Sequence, residues 1–147
     1  MEAPPKWYTP VTIIALLWNL LGCVAFLSDV MMTPEGVARL SAAQQALYSS
    51  RTAWAVAATA IAVWGGAAGS LGLILRKRWA MALLIASLVG LTIQDFGLFV
   101  LTNAATLAGR AAFVIQGLVF LIALGLVVLA RKAASRGWIP KKVVQQT

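Results

Sequence analysis

Gln94 and Asp95 stand side by side in GLTIQDFGLFV, residues 90–100, an apolar run that contains no Lys, Arg or His. A carboxyl group set in such a run can exchange a proton or hold a polar solute, and an ionisable residue at that depth marks a functional site by default. Asn19 and Gln116 are the other strongly polar side chains that fall well inside apolar stretches, and Arg110 stands where the last stretch begins. Gln94, Asp95, Gln116, Asn19 and Arg110 are therefore the candidate substrate or proton site. The chain offers little else for chemistry. It has no histidine, one cysteine, no phosphate loop and no nucleophile with a base beside it. That inventory argues against hydrolases, metalloenzymes and histidine-ligated haem proteins, so we expect no enzymatic activity, no metal and no cofactor.

The elements that position these residues follow from composition. Across 147 residues, 61% hydrophobic content, 11% charged content and a mean hydropathy of +0.88 lie far outside the range of a soluble domain. Four apolar segments, 11–32, 52–75, 79–102 and 111–130, are each long enough to cross a hydrocarbon core of about 30 Å at roughly 1.5 Å per residue. They lack the alternation of barrel strands, and a bilayer leaves the backbone of any other open structure unsatisfied. The expected fold is an all-α membrane protein, one domain over 1–147, with four transmembrane helices and a short amphipathic helix between the first and second. The first span reads as a persistent helix and not a cleaved leader, because Lys6 is the only charge between Ala3 and Val11 and the apolar run exceeds a signal-peptide core. Cys23 lies inside it and reads as a small packing residue, although LLGC has the flavour of a lipidation site.

Cation placement sets the expected orientation. Lys6, Arg76, Lys77, Arg78, Arg131, Lys132, Arg136, Lys141 and Lys142 fall on one side of a four-span chain, and Arg39, Arg51 and Arg110 on the other. This asymmetry predicts cytoplasmic N- and C-termini, and Trp7, Tyr8, Trp79 and Trp138 flank the same side as interfacial aromatics. The net charge of +8 is thereby accounted for by topology and attraction to anionic head groups, without nucleic acid. Between the first two spans, TPEGVARLSAAQQALYSSR opens with Thr33 as N-cap, Pro34 at the first helical position and Glu35 in the first turn. A single surface helix over about 34–50 is expected, with Val37, Leu40, Ala43, Leu47 and Tyr48 on one side and Gln44 breaking the stripe. It would lie over the bundle and could run on into the second span.

Small residues recur at helical spacing within the spans. Gly65 and Gly69 form a GxxxG, and Ser87, Gly90, Gln94 and Gly97 form a second stripe. Such stripes allow close helix approach, whether within one chain or between copies. Asp95 falls about 9 to 11 Å inside the end of its span, too deep for a short carboxylate to reach water. The twelve Leu, Ile, Val and Phe of that span contribute about −4 to −7 kcal/mol to insertion against about +3 for the acid, so the helix inserts at a cost. Gln116 on the antiparallel fourth span lies at a matching depth, which predicts that it neighbours Asp95; Asn19 lies nearer the centre. Asp95 then either works in transport or fastens helices through Gln116, Thr92 or Arg110.

Over nearly its full length, with KWYTPVTIIALLWNLLGC, MTPEGVARL, AAQQALY and RKRWA, the chain resembles a group of small four-helix bacterial inner-membrane proteins, some of them labelled sugar transporters. The resemblance implies a multi-pass inner-membrane protein and carries over no functional residue. The pattern departs from four-helix multidrug antiporters, which keep an acid in the first helix where this chain has Asn19, and from three-helix sugar carriers, whose Pro-Gln pair is absent. Two function classes remain. One is an oligomeric small-solute transporter or permease built around Asp95; the other is an accessory or assembly subunit of a larger membrane complex. The partners expected are the lipid bilayer and either further copies or a larger complex.

Overall fold

In a computed structural model, residues 3–101, 106 and 109–140 are described, and all their regular structure is helical. Six helices follow in order: α1 (Tyr8–Val30), α2 (Pro34–Ala38), α3 (Ala42–Ser49), α4 (Ala53–Ile74), α5 (Trp79–Val100) and α6 (Gly109–Ser135). Four of them, α1, α4, α5 and α6, are long and apolar enough to cross a membrane. The protein is thus a multi-pass, all-α membrane protein whose exposed apolar faces, such as Ile14, Leu21, Val114 and Leu121, lie against lipid. Thr102, expected to end the third span, and Lys141 and Lys142 of the cation count lie outside the described residues.

Between the first two spans the structure departs from the single helix expected over 34–50. The Thr33 hydroxyl accepts from the Gly36 N–H at 3.2 Å and starts α2 as predicted, but α2 is only five residues long. Ser41 is extended and opens a new helix with a capping box: its hydroxyl accepts from the Gln44 N–H, and the Gln44 side-chain oxygen accepts from the Ser41 N–H at 3.1 Å. Gln44, which reads in sequence as a break in an apolar stripe, is in fact a cap. The Gln45 amide donates to the Ala38 and Leu40 carbonyls at 3.2 and 2.9 Å and so closes the end of α2. Nor does α3 continue into the second span, because Thr52 adopts an extended conformation and begins α4 afresh.

The centre of the molecule is the antiparallel pair α4 and α5, joined by a tight turn. Arg76 sits in the left-handed region at φ 53°, while the Lys77 N–H donates to the Gly72 carbonyl at 2.8 Å and the Arg76 N–H to the Leu73 carbonyl at 3.1 Å. This is the Schellman arrangement, completed here without glycine. The two glycine stripes face one another across the pair. A methyl group on Gly90 would stand 2.8 Å from the Ala58 carbonyl oxygen, one on Gly69 would stand 2.6 Å from Leu84 Cγ, and one on Gly65 would stand 3.1 Å from the Leu83 carbonyl oxygen. One on Gly97 would run into the Trp54 indole. Gly65, Gly69, Gly90 and Gly97 therefore serve packing inside one chain, which resolves the choice that the sequence leaves open.

α1 packs on α4 and α6 on α5, but α1 and α6 share no packed interface along their length. The four long helices form an open layer with α1 and α6 as its edges. The edges come together only at the end that carries the termini. There Trp138 is returned onto the layer by a second Schellman turn, with Gly137 at φ 74° and the Trp138 N–H bonded to the Ala133 carbonyl at 2.9 Å. Trp138 meets Trp7 and Tyr8 edge-on at 5.8 and 5.6 Å. The buried Tyr8 hydroxyl donates to the Leu73 carbonyl at 3.0 Å, a second donor to a carbonyl that already receives the Arg76 N–H of the turn.

Candidate functional site

The α5–α6 seam holds the acid. The Gln116 amide donates to an Asp95 carboxyl oxygen at 2.5 Å, and both side chains are half-buried. About one turn further along the same seam Phe99 and Phe113 stack with centroids 4.3 Å apart, shielding one side of the pair. Antiparallel neighbours at equal depth thus meet as their register predicts. Thr92 takes no part in this contact, since its hydroxyl donates to the Leu88 carbonyl of its own helix at 2.8 Å.

Neither Asn19 nor Arg110 contacts the Asp95 carboxyl, although Asn19 lines one cavity with Gln94 and Gln116. The Asn19 amide donates to the Ala15 carbonyl at 2.8 Å and to the Ser70 hydroxyl at 3.2 Å, tying α1 to α4. Its oxygen lies over Gly66, where any side chain would displace it. Arg110 is exposed at the start of α6 and makes no ion pair with Asp95. Depth sets Asn19 nearer the centre but leaves open which neighbour each side chain meets, because the level of a residue does not fix its direction around the helix.

The ion pair among the described residues joins Arg51 to Asp29, at the opposite end of the layer from the termini. Arg51 donates to the Asp29 carboxylate and lies over the Tyr48 ring at 4.1 Å from its centroid. Burial draws the guanidinium below its ordinary value, and its Nε is buried without a partner. Sequence reasoning used Arg51 only for topology and passed over Asp29. The signal was present: opposite charges close one span and open the next, so they meet at the same end of adjacent antiparallel helices.

Two cavities lie on the open face of the layer. The deeper one, about 430 Å³, has α1 and α6 as walls through Trp18, Phe26, Gln116 and Ala123, and α4 and α5 as floor through Gly66 and Ser87. The second, about 570 Å³, lies towards α3 and is lined by Gln44, Tyr48, Arg51 and Trp54 among others. Phe26, Asp29, Thr59 and Gln94 line both, so the two meet. Gln94 stands at the junction and Gln116 on the deeper wall, while the Asp95 carboxyl lies behind Gln116 in the seam. Gln116 is therefore the group through which the acid and the cavity touch. Comparison with family models, with curated proteins and with solved structures finds no match for this chain.

Proposed function

We propose that the protein is a small-solute transporter or permease of a bacterial inner membrane, working as an oligomer, with both termini in the cytoplasm. The reading rests on one observation: joined cavities run from the α3 end of the layer to Gln94 and to the amide that holds Asp95. Solute reaching Gln116 competes for the hydrogen bond to Asp95, which couples occupancy of the cavity to the state of the acid. An open layer does not enclose a path by itself, so a second copy set against the outer face of one edge, α1 or α6, extends the wall and leaves the gap between those edges open. The chemistry needs neither cofactor nor metal, involves no bond making, and has no role for nucleic acid. Cytoplasmic termini follow from the cation asymmetry, and the resemblance to small inner-membrane proteins supports the location.

An accessory subunit is the second reading, favoured by α6. Methyl groups on Gly117 and Gly125 would meet nothing within 4 Å, so a smooth face of that helix awaits a neighbour. Proteoliposomes loaded with a pH-sensitive dye separate the two readings when challenged with a panel of solutes. Transport predicts solute-dependent proton movement in the wild type and its loss in Asp95→Asn, with unchanged thermal stability, because the amide keeps the shape but cannot exchange a proton. A variant indistinguishable from wild type in this assay would place the accessory role first.

A further inference from the structure

The deep cavity opens sideways. Its two walls, α1 and α6, are the edges of the layer and share no packed interface, so the gap between them faces the acyl chains of the bilayer and not water. Asn19 to Asp29 on α1 and Gln116 to Leu126 on α6 each span ten residues, so the slot is about 15 Å long.

Most of the slot is dry in the chemical sense. Leu21, Val63, Leu91, Val119 and Ile122 line it, and most of its polar residues are already engaged within the protein: Asn19 with Ala15 and Ser70, Ser87 with the Ala62 carbonyl, Thr59 with the Ala55 carbonyl and Gln116 with Asp95, while Gln94 stands at the junction with the second cavity. A hydrophilic solute filling it would lose water and find few open partners. An alkyl chain would strand none of its own groups. At the α3 end charged and polar groups join the apolar lining, with Gln44, Ser50, Asp29 and Arg51 on a wall that also carries Leu47, Trp54 and Leu101. The charges there are one of each sign, already paired with each other. A head group with net charge would enter without a counter-ion, whereas a zwitterion can lay its cation by Asp29 and its anion by Arg51.

We infer that the joined cavities bind a single-chain zwitterionic amphiphile admitted from the bilayer between α1 and α6, with the tail in the slot and the head beside Asp29 and Arg51. This names the substrate class of the proposed transporter and rests on that reading for its being a substrate at all. One chain, and not two, follows from the single slot.

The test uses the full-length protein in phosphatidylcholine nanodiscs with a lysophosphatidylethanolamine carrying a diazirine in mid-chain, and cross-linked peptides are located by mass spectrometry. The inference expects label on the floor residues Val63 and Gln94 besides the lipid-facing Val114 and Leu118. Floor label should fall about tenfold in Ala123→Trp, whose indole fills the slot, or on adding unlabelled lysophosphatidylethanolamine, while label at Val114 and Leu118 stays constant. The competition arm keeps the test valid where the tryptophan variant does not fold. A lysophosphatidylglycerol probe of equal chain length should label the floor about tenfold less.

Label confined to lipid-facing positions would overturn the inference, as would protomer-to-protomer cross-links through the slot, which would mean that a second copy fills it. Equal floor label from both probes would overturn the head-group assignment. Proton movement dependent on Asp95 without floor label would leave a transporter of another solute. Floor label without such proton movement would leave a lipid-binding protein that does not use Asp95 for transport.

Discussion

Gly90→Ala is the most direct probe of the α4–α5 pair, because the added methyl would meet backbone and not a side chain that can turn away. It would stand 2.8 Å from the Ala58 carbonyl oxygen and 3.1 Å from the Ala62 nitrogen, against the 3.4 Å at which ordinary contact begins. Relief requires the helices to part by about 0.6 Å. A gap of that size forfeits about a quarter to a half of each contact along the seam, and overpacking in a tight interior costs about 1 to 3 kcal/mol. Gly117→Ala is the matched control: the same methyl on a membrane helix meets nothing within 4 Å and removes a poor helix former, for a gain of up to about 1 kcal/mol. Cys23 supplies the assay. It is buried at 4% exposure with its thiol against the Val63 carbonyl, so a thiol-reactive dye reports unfolding without any engineered label. Gly90→Ala should lower the melting midpoint, and Gly117→Ala should hold or raise it. Equal midpoints for the two variants would refute the claim that close backbone approach, and not general glycine content, holds the pair together.

Tyr8→Phe removes one of the two donors to the Leu73 carbonyl and should cost about 0.5 to 1.5 kcal/mol in the same assay, with no change in helix content by circular dichroism. Asp29→Asn and Arg51→Gln should each destabilise weakly, and a double-mutant cycle should return a coupling of about 0.2 to 1 kcal/mol that shrinks with salt, since the side chains are 43% and 27% exposed. Reporters inserted within Arg76–Arg78 should signal a cytoplasmic location and one within Gln44–Ser50 the opposite side; the reverse pattern would invert the proposed orientation.

Long-period features were legible in the sequence, and local competition was not. The four spans follow from apolar length, and the Asp95–Gln116 contact from counting 1.5 Å steps along antiparallel neighbours. The division of 34–50 into two helices turns on Ser41 and Gln44 capping a new start, a local hydrogen-bond exchange that a periodicity argument averages away. Counting steps sets Asn19 nearer the centre than the acid, but not that its amide bonds Ser70 of α4 while it lines the cavity of Gln94 and Gln116, because direction around a helix depends on which neighbour packs there. The open edge between α1 and α6 lies beyond any such reading, since hydropathy sets which segments cross the bilayer and not the order in which they stand.

The meeting of Trp7 and Tyr8 with Trp138 bears on how the protein is made. α1 acquires this aromatic partner only once α4, α5 and α6 have all been synthesised, so the contact forms after those that join neighbouring helices. Until then α1 leans on α4 alone and the layer has two free margins. Closure of the layer is therefore a late step, and the aromatic clasp is the part of the structure that a nascent chain stalled before Trp138 can never form.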